Sequence, residues 1–296
     1  MLGPMAKVSF LGTGLIGGAL AEAAVKRGDA VCAFNRTLDK ARPLSALGVQ
    51  VKSSAAEAVR GSERVHIALA DDAAVDAVLA ACQEELGDAV VIDHSTALPA
   101  GTVARAQRLH QRGIAFLHAP VFMSPAMCRE ARGLMLVAGA ASTFERVAPA
   151  LRAMTGAVEY LGERADLAAA YKLFGNAMIL TITAGLADVY ALAAALGVPA
   201  TAAQALFSRF NPAGTTAYRG AAMAAGDYSA SFELTMARKD ARLMIETAAQ
   251  AGQHLGVLPA IAERMDELIA RGYGAEDVGV LAIDAVPKTA RTPQTS

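Results

Sequence analysis

The sequence predicts an α/β protein in which a doubly wound sheet domain precedes an all-α domain, with a long interdomain helix between them. Short β-prone runs alternate with helical patterns through the first half of the 296 residues. A single apolar stretch, Asp166 to Leu196, has the length of one long helix. Only helical patterns follow it, at residues 201–207, 232–250 and 258–270. We therefore expect domains at residues 1–163 and 164–287, with a disordered tail at residues 288–296.

A glycine-rich turn follows the first predicted strand, residues 7–11, and precedes an alanine-rich helix that extends to about Lys26. Its spacing is G-x-G-x-x-G, which in this context opens a dinucleotide-binding βαβ unit of the Rossmann type. The first glycine forms a tight turn, the second lets the backbone approach a pyrophosphate, and the third packs the helix on the strand. The N-terminus of this helix is the positive end of its dipole and therefore favours the binding of phosphate. We expect cofactor contacts from Gly12, Thr13, Gly14, Leu15 and Ile16, with Gly17 as the packing glycine.

The second predicted strand, residues 30–34, ends in Asn35-Arg36-Thr37. An NAD site usually places Asp or Glu here to bind the ribose 2′-hydroxyl, and this sequence has neither. Arg36 would instead bind a 2′-phosphate, with Asn35 and Thr37 beside it. The sequence therefore predicts NADP (NADPH) as the cofactor, although a solvated surface role for Arg36 is the alternative.

Further strands are predicted at residues 49–51, 65–70, 89–93, 116–121 and 134–138, with helices at 54–60, 73–81 (capped by Asp72) and 99–112. Ligands of such sheets bind at the carboxyl ends of the strands. We expect cofactor contacts from Leu69, Ala70, Asp71 and Thr96 and substrate contacts from Ser95, Phe122, Met123 and Ser124. For Ser95 and Thr96, a plain turn or helix cap is the alternative.

The long helix has recognisable ends, because Asp166 is a suitable N-cap and Gly197 and Pro199 form a stop signal. It is apolar nearly all round, so we expect it to be buried on most faces. Lys172 and Asn176 lie four residues apart and therefore on the same face. They are a polar pair on an otherwise apolar helix, and one interpretation of Lys172 is a lysine that reaches from a buried helix to solvent.

The composition of the chain argues against several classes of binding partner. The net charge of −1 argues against nucleic acid or an anionic membrane, and the uncharged run within the long helix is short for a membrane span. The three cysteines are scattered without metal-ligand spacing, which predicts a cytoplasmic protein with no metal.

With these residues, the chain resembles the β-hydroxyacid dehydrogenase family, the group of 3-hydroxyisobutyrate dehydrogenase and glyoxylate/succinic semialdehyde reductases. Five features match in order over nearly the whole length: GTGLIG, the strand-end NRT, DHST, K-x-x-x-N and FELTMARKD. The resemblance implies a Rossmann-like domain, a long interdomain helix and a dimerising all-α domain, hence a homodimer or tetramer. It also implies that Lys172 and Asn176 are the catalytic and substrate-binding pair over the nicotinamide, and that Thr96 and Lys239 contact the cofactor.

One stretch departs from that family. After Ala-Pro-Val the family has Ser-Gly-Gly, which holds the substrate carboxylate, whereas this sequence has Phe122-Met123-Ser124-Pro125. The loop is similar to that of imine reductases, which usually have Asp or Tyr in the place of Lys172. We expect an NADP(H)-dependent dehydrogenase or reductase that transfers hydride between NADPH and a carbonyl/hydroxyl substrate, with Lys172 as proton donor. An imine reductase and a non-catalytic NADPH-binding protein are the alternatives.

Overall fold

A computed structural model describes residues 6–286 of the chain, so the tail predicted at residues 288–296 lies outside the described residues. The chain divides into two compact units, Met1–Ala177 and Met178–Ser296. This division falls within the long helix, further along the chain than the boundary expected after residue 163.

Six parallel strands form the main sheet of the first unit: β1 (Lys7–Leu11), β2 (Ala30–Phe34), β3 (Gln50–Val51), β4 (Arg64–Ile67), β5 (Val90–Asp93) and β6 (Phe116–His118). Their order is β3-β2-β1-β4-β5-β6, and all neighbouring pairs are parallel. The strand order therefore reverses between β1 and β4, and ligands of such sheets bind at the carboxyl ends there. This confirms the predicted doubly wound, Rossmann-like sheet.

Helices cover both faces of the main sheet: α1 (Leu15–Lys26), α2 (Ala55–Val59), α3 (Asp72–Ala80), α4 (Pro99–Gln111) and, after a second sheet, α6 (Ala141–Arg152). Alternate strand residues pack in opposite directions. Val8 and Phe10 of β1 belong to one apolar cluster, and Leu11 belongs to a second cluster with Val65 and Ile67 of β4. Two separate cores hold the strands in place, so the sheet is a rigid support for the loops at its carboxyl edge.

A second, three-stranded sheet differs from the prediction. It contains β7 (Val121–Phe122), antiparallel to β8 (Leu134–Val137), and β9 (Ala157–Tyr160), with the short helix α5 (Pro125–Arg129) after β7. The single strand predicted at residues 116–121 is therefore two strands, interrupted next to Pro120, which has no N–H to donate to a ladder. The strand predicted at residues 134–138 belongs to this second sheet rather than to the main one.

Two smaller expectations about β4 and α3 were also wrong. The strand expected at residues 65–70 ends at Ile67, so Leu69 and Ala70 lie in the loop that follows. The N-cap of α3 is Asp71, whose Oδ1 accepts a hydrogen bond from the N–H of Ala74 at 2.8 Å. Asp72, the predicted cap, is the first helical residue, and its carboxylate binds other groups instead.

The long helix is α7 (Leu167–Ala195), within one residue of its predicted ends. The carbonyl of Asp166 accepts from the N–H of Ala170, as at an N-cap, but its carboxylate binds Arg164. Gly197 has the left-handed φ of 67° expected of a helix stop. The expected burial on most faces was wrong, because side chains from Tyr171 to Thr183 are largely exposed. By length and composition α7 could cross a membrane, with a mean hydropathy of 1.7.

As far as residue 286, the second unit contains the rest of α7 and four more α-helices: α8 (Ala200–Ala205), α9 (Gly214–Ala225), α10 (Leu234–Gln250) and α11 (Leu258–Leu268). Helix α9 was not predicted, because glycine and threonine at its start are weak helix formers. Within this unit the carboxylate of Asp188 on α7 accepts hydrogen bonds from the N–H groups of Gly256, Val257 and Leu258. This contact ties the end of the long helix to the start of α11.

Candidate active site

The glycine turn after β1 has the geometry that a phosphate-binding loop needs. Gly12 has a φ of +96°, and a Cβ built there would lie 2.3 Å from the carbonyl oxygen of Ala68. A Cβ on Gly17 would lie 2.1 Å from the carbonyl oxygen of Gly12. A Cβ on Gly14, by contrast, would meet nothing within 4 Å. The first and third glycines are thus required for packing, and the second leaves open space at the N-terminus of α1, where a pyrophosphate fits.

Asn35 joins the glycine turn to the end of β2. Its Oδ1 accepts from the N–H of Thr13 at 3.1 Å, and its Nδ2 donates to the carbonyl of Thr37 at 2.8 Å. The hydroxyl of Thr13 is buried without a hydrogen-bond partner among the described residues. A buried hydroxyl without a partner is unusual in a folded protein, so a bound group that reaches it would gain a hydrogen bond.

Arg36 lies in the turn after β2 with its side chain exposed. Within residues 6–286 its guanidinium makes no ion pair or hydrogen bond, whereas Arg42 close by is paired with Asp39 at 2.8 Å. Leu15, at the first position of α1 directly after the glycine turn, is 81% exposed. The predicted contacts from Gly12 to Thr37 are therefore gathered at one edge of the sheet, with a free cation at its margin.

Ser95 joins the ends of β4 and β5. Its Oγ accepts from the N–H of Leu69 at 2.9 Å, and its own N–H donates to Oδ1 of Asp93 at 2.9 Å. Ser95 is 3% exposed. Its hydroxyl therefore stabilises the turn, which is the alternative to substrate binding that the sequence analysis left open. Thr96, the next residue, is exposed at the same edge and remains a candidate cofactor contact.

A buried arginine that the sequence analysis did not consider supports these strand ends. Arg105 on α4 is fully buried, and its guanidinium binds Asp72, Asp76 and Asp93 at 2.9, 2.8 and 3.4 Å. The ion pairs with three carboxylates offset the cost of burying one cation. Because Asp93 also accepts from Ser95, the cluster fixes the loop that carries Thr96.

Three buried histidines lie under the same edge. His94 donates from Nδ1 to the carbonyl of Ala119 at 2.7 Å, which leaves its Nε2 to accept from Nδ1 of His66 at 2.9 Å. His118 donates from Nε2 to the carbonyl of Ser95 at 3.0 Å. Burial lowers the pKa of all three imidazoles, so they are neutral at pH 7. His66 lies within β4, His94 directly follows β5 and His118 ends β6, and this placement near strand ends is the signal by which the sequence could have revealed them.

Lys172 is held at the start of α7 by residues of β7. Its Nζ donates to the carbonyl of Val121 at 2.8 Å and lies 3.9 Å from the centre of the Phe122 ring. Burial lowers the pKa of Lys172 from its ordinary value. The side chain is half-buried rather than extended to solvent, so the snorkelling alternative does not describe it. Asn176 lies one turn further along α7 and is also half-buried.

The side chains of Phe122, Met123 and Ser124, which the sequence predicts to contact the substrate, pack in different places. Phe122 packs against the buried cluster of Leu136, Ala138 and Ala168, and its ring contacts Lys172. Met123 packs against the main core of the first unit. Ser124 caps α5, with its Oγ accepting from the N–H of Met127 at 3.3 Å. Of the three, Phe122 is therefore the residue whose side chain the structure places beside the candidate proton donor.

Lys239 belongs to the second unit, on α10, where its ammonium pairs with Asp240 at 2.9 Å. The remaining predicted site residues belong to the first unit. That unit combines an open phosphate-binding turn with a desolvated ammonium that rests on a carbonyl and an aromatic ring. Such an arrangement can bind a dinucleotide and supply a proton or a charged hydrogen bond to a nearby oxygen.

Comparisons with known proteins agree with this geometry. The family described as the NAD binding domain of 6-phosphogluconate dehydrogenase matches residues 7–162. Glyoxylate/succinic semialdehyde reductase 2 from the chloroplast of Arabidopsis thaliana is 28% identical over 290 residues, which cover 96% of this chain and 80% of the relative.

Solved structures share the fold. A reductive aminase from Aspergillus terreus, in complex with NADPH4, cyclohexanone and allyl amine, superimposes with a TM-score of 0.88 at 24% identity, covering 95% of this chain and 99% of that chain. A variant of an imine reductase from Myxococcus stipitatus, in complex with NAD⁺, gives a TM-score of 0.84 at 20% identity, with the same coverage of 95% and 99%.

Proposed function

The chain belongs to the β-hydroxyacid dehydrogenase family, and from this membership we propose that it is an NADPH-preferring reductase of carbonyl compounds in which Lys172 donates the proton. Its place among oxidoreductases that use a nicotinamide cofactor follows from the family. The preference for NADPH, the role of Lys172 and the choice of substrate are the proposal. The observation that supports it best is the half-buried ammonium of Lys172 on the Val121 carbonyl.

The residues of the first unit fit a nicotinamide dinucleotide. The open space at Gly14 and the N-terminus of α1 would hold the pyrophosphate, Arg36 and Thr37 the 2′-phosphate, and Thr96 the adjoining part of the cofactor. When bound, the dihydronicotinamide supplies a hydride, two electrons with one proton, to the carbonyl carbon.

The proton that completes the reduction would come from Lys172. As the carbonyl carbon gains a hydrogen, its oxygen gains negative charge, and Nζ of Lys172 gives that oxygen a proton to form the alcohol. Burial lowers the pKa of this ammonium, which makes it a better acid than a lysine in water. Asn176, on the same helix face, would orient the substrate oxygen by a hydrogen bond from its amide. The lysine is afterwards reprotonated from solvent.

The substrate should be more apolar than a short hydroxy acid. Phe122 stands where the family has a small polar residue, and no carboxylate-binding glycine pair follows it. An ammonium stabilises a developing alkoxide but repels a cationic iminium. We therefore favour an aldehyde or ketone with an apolar substituent, and weak or no activity on 3-hydroxyisobutyrate.

Imine reduction is the second candidate, and the Phe122-Met123-Ser124-Pro125 loop is the observation in its favour. Steady-state oxidation of NADPH with matched substrates, a ketone and the cyclic imine of the same carbon skeleton, tests the choice. The proposal predicts turnover of the ketone at the higher kcat/KM. Robust turnover of the imine without detectable ketone reduction would overturn it in favour of an imine reductase.

We also propose that the protein is a cytoplasmic homodimer or tetramer without a membrane partner. The three cysteines, Cys32, Cys82 and Cys128, are buried free thiols, as is usual in a reducing compartment. The exposed apolar section of α7, Tyr171 to Thr183, supports association with a second copy. This section is only about 20 Å long, shorter than the hydrocarbon core of a bilayer at about 30 Å.

A further inference from the structure

Gly175 lies three residues after Lys172 on α7 and faces the ring of Phe122. A Cβ built on Gly175 would lie 2.3 Å from Cζ and 2.7 Å from Cε1 of that ring. Since real Cβ atoms do not approach other carbons so closely, the ring occupies space that any other residue at position 175 would fill. Glycine is unfavourable inside a helix compared with alanine, so helix formation gives no reason for a glycine here.

The same ring carries the ammonium of Lys172. Nζ lies 3.9 Å from the ring centre, well within the range of a cation–π contact, and donates to the Val121 carbonyl at 2.8 Å. We call the Val121 carbonyl and the Phe122 ring together the lysine seat. The ring also packs against the buried cluster of Leu136, Ala138 and Ala168, and this packing restricts its movement.

We propose that Gly175 is a positioning residue for the reduction: its missing side chain admits the Phe122 ring beneath Lys172, and the lysine seat then fixes the ammonium where it donates its proton. This inference rests on the proposed function, because it assumes that Lys172 is the donor. It gives Phe122 a second role beside that of a substrate wall. It also explains why a bulky residue is tolerated at the end of β7, next to the long helix.

The lysine seat favours the charged form of Lys172. A carbonyl acceptor and the negative face of an aromatic ring both stabilise an ammonium, whereas burial opposes it. Within residues 6–286 Lys172 makes no salt bridge, so the carbonyl and the ring are the groups that offset the effect of burial on its pKa. Replacing the ring with an aliphatic side chain of similar burial should therefore lower the pKa of Lys172 further, by about 0.5–1 unit.

The test is a double-mutant cycle on the complete protein with three variants, Gly175→Ala, Phe122→Leu and the combination. Gly175→Ala should lower kcat about 10- to 100-fold with a small change in KM, because the displaced ring moves the donor away from its position. Phe122→Leu should lower kcat and move the high-pH limb of the kcat profile about 0.5–1 unit towards lower pH. In the combined variant, Gly175→Ala should lower kcat little below that of Phe122→Leu alone, because the ring through which it acts is gone.

Gly185→Ala is the matched control, because Gly185 lies on the same helix and a Cβ there would meet nothing within 4 Å. It should keep the wild-type kcat and pH profile. If Gly175→Ala also keeps the wild-type kcat and pH profile, the inference is wrong. It is equally wrong if Gly175→Ala lowers kcat by the same factor in the wild type and in Phe122→Leu.

A measurement that does not depend on turnover distinguishes a failure of this inference from a failure of the proposed function. In protein labelled with ¹³C at lysine Cε, the NMR resonance lost in Lys172→Met belongs to Lys172, and its titration gives the pKa directly. We expect that pKa to fall in Phe122→Leu and to change in Gly175→Ala but not in Gly185→Ala. If it changes as expected while kcat does not, the lysine seat stands and Lys172 is not the donor. If the resonance does not respond to either variant, the lysine seat itself is wrong.

Discussion

The exposed Arg36 at the end of β2 is the side chain on which the proposed preference for NADPH over NADH rests. Its guanidinium has no partner among the described residues, so it is available for a 2′-phosphate at the cost of no existing contact. A charge-assisted contact contributes about 1.5–3 kcal/mol, so we expect NADPH to be preferred roughly 10- to 100-fold in kcat/KM.

Arg36→Ala should remove most of that preference, and Arg42→Ala should not. Arg42 is a suitable control because it lies in the same exposed region and already pairs with Asp39 at 2.8 Å. Initial rates with both cofactors decide the matter for the wild type and the two variants. Equal efficiency with NADPH and NADH in the wild type would refute the role of Arg36.

In the proposed mechanism the protonation of Lys172 sets an upper pH limit on reduction. Only the charged amine can give a proton, and the charged fraction falls as pH rises through the pKa, which burial lowers from its ordinary value. We therefore expect kcat for reduction to fall at high pH, with a midpoint below the value of about 10.4 for a free lysine. In Lys172→Arg the guanidinium stays charged, so any activity that remains should lack this limb. A limb unchanged by Lys172→Arg would belong to another group.

The strands and helices around the site depend on the cluster of Arg105 with Asp72, Asp76 and Asp93. Arg105→Met would leave Asp93, which is fully buried, without its cation, and should destabilise the protein by about 3–5 kcal/mol. Arg108→Met removes a cation from the partly exposed Asp76 and should cost about 1 kcal/mol or less. Urea unfolding of both variants measures the difference. Equal stabilities would mean that the buried cluster contributes little.

The order of strands and helices in the sheet domain could be predicted because local patterns determine it. The glycine turn, the alternation of strands with helices and the stop signal at Gly197 each depend on neighbours in sequence. The second sheet could not be predicted, since β7 pairs with β8 across an intervening helix and β9 adds to β8 from further along the chain. Pairings between distant segments leave no periodic signal in a single sequence.

For the candidate site too, the sequence predicts features that depend on neighbouring residues but not contacts between distant segments. Gly12, Asn35, Arg36 and Lys172 could be proposed as site residues because their motifs are short. The roles of Ser95 and Ser124 as turn and cap, the inward packing of Met123 and the fit of Gly175 to Phe122 depend on contacts between separate segments. Arg105 is buried against three carboxylates, a setting that its position in an amphipathic helix pattern does not reveal.

For the intact protein, the exposed apolar section of α7 predicts self-association. Phe174, Leu180 and Ile182 are 63%, 70% and 55% exposed, more apolar surface than a monomeric protein usually leaves in water. Light scattering without detergent should give at least a dimer at micromolar concentration, and Leu180→Glu should weaken it. Leu47→Glu, a change at another exposed leucine on the sheet domain, is the control. A monomeric wild type would contradict this prediction.

The turnover of Lys172→Ala tests the proposed chemistry most directly. Fluorescence titration should show that the variant binds NADPH nearly as well as the wild type, because the phosphate-binding turn lies elsewhere in the sheet domain. Its kcat for carbonyl reduction should fall about 10²- to 10⁴-fold, the usual range for a positioned proton donor. If the variant binds NADPH and retains the wild-type rate, Lys172 is not the donor and the mechanism is wrong.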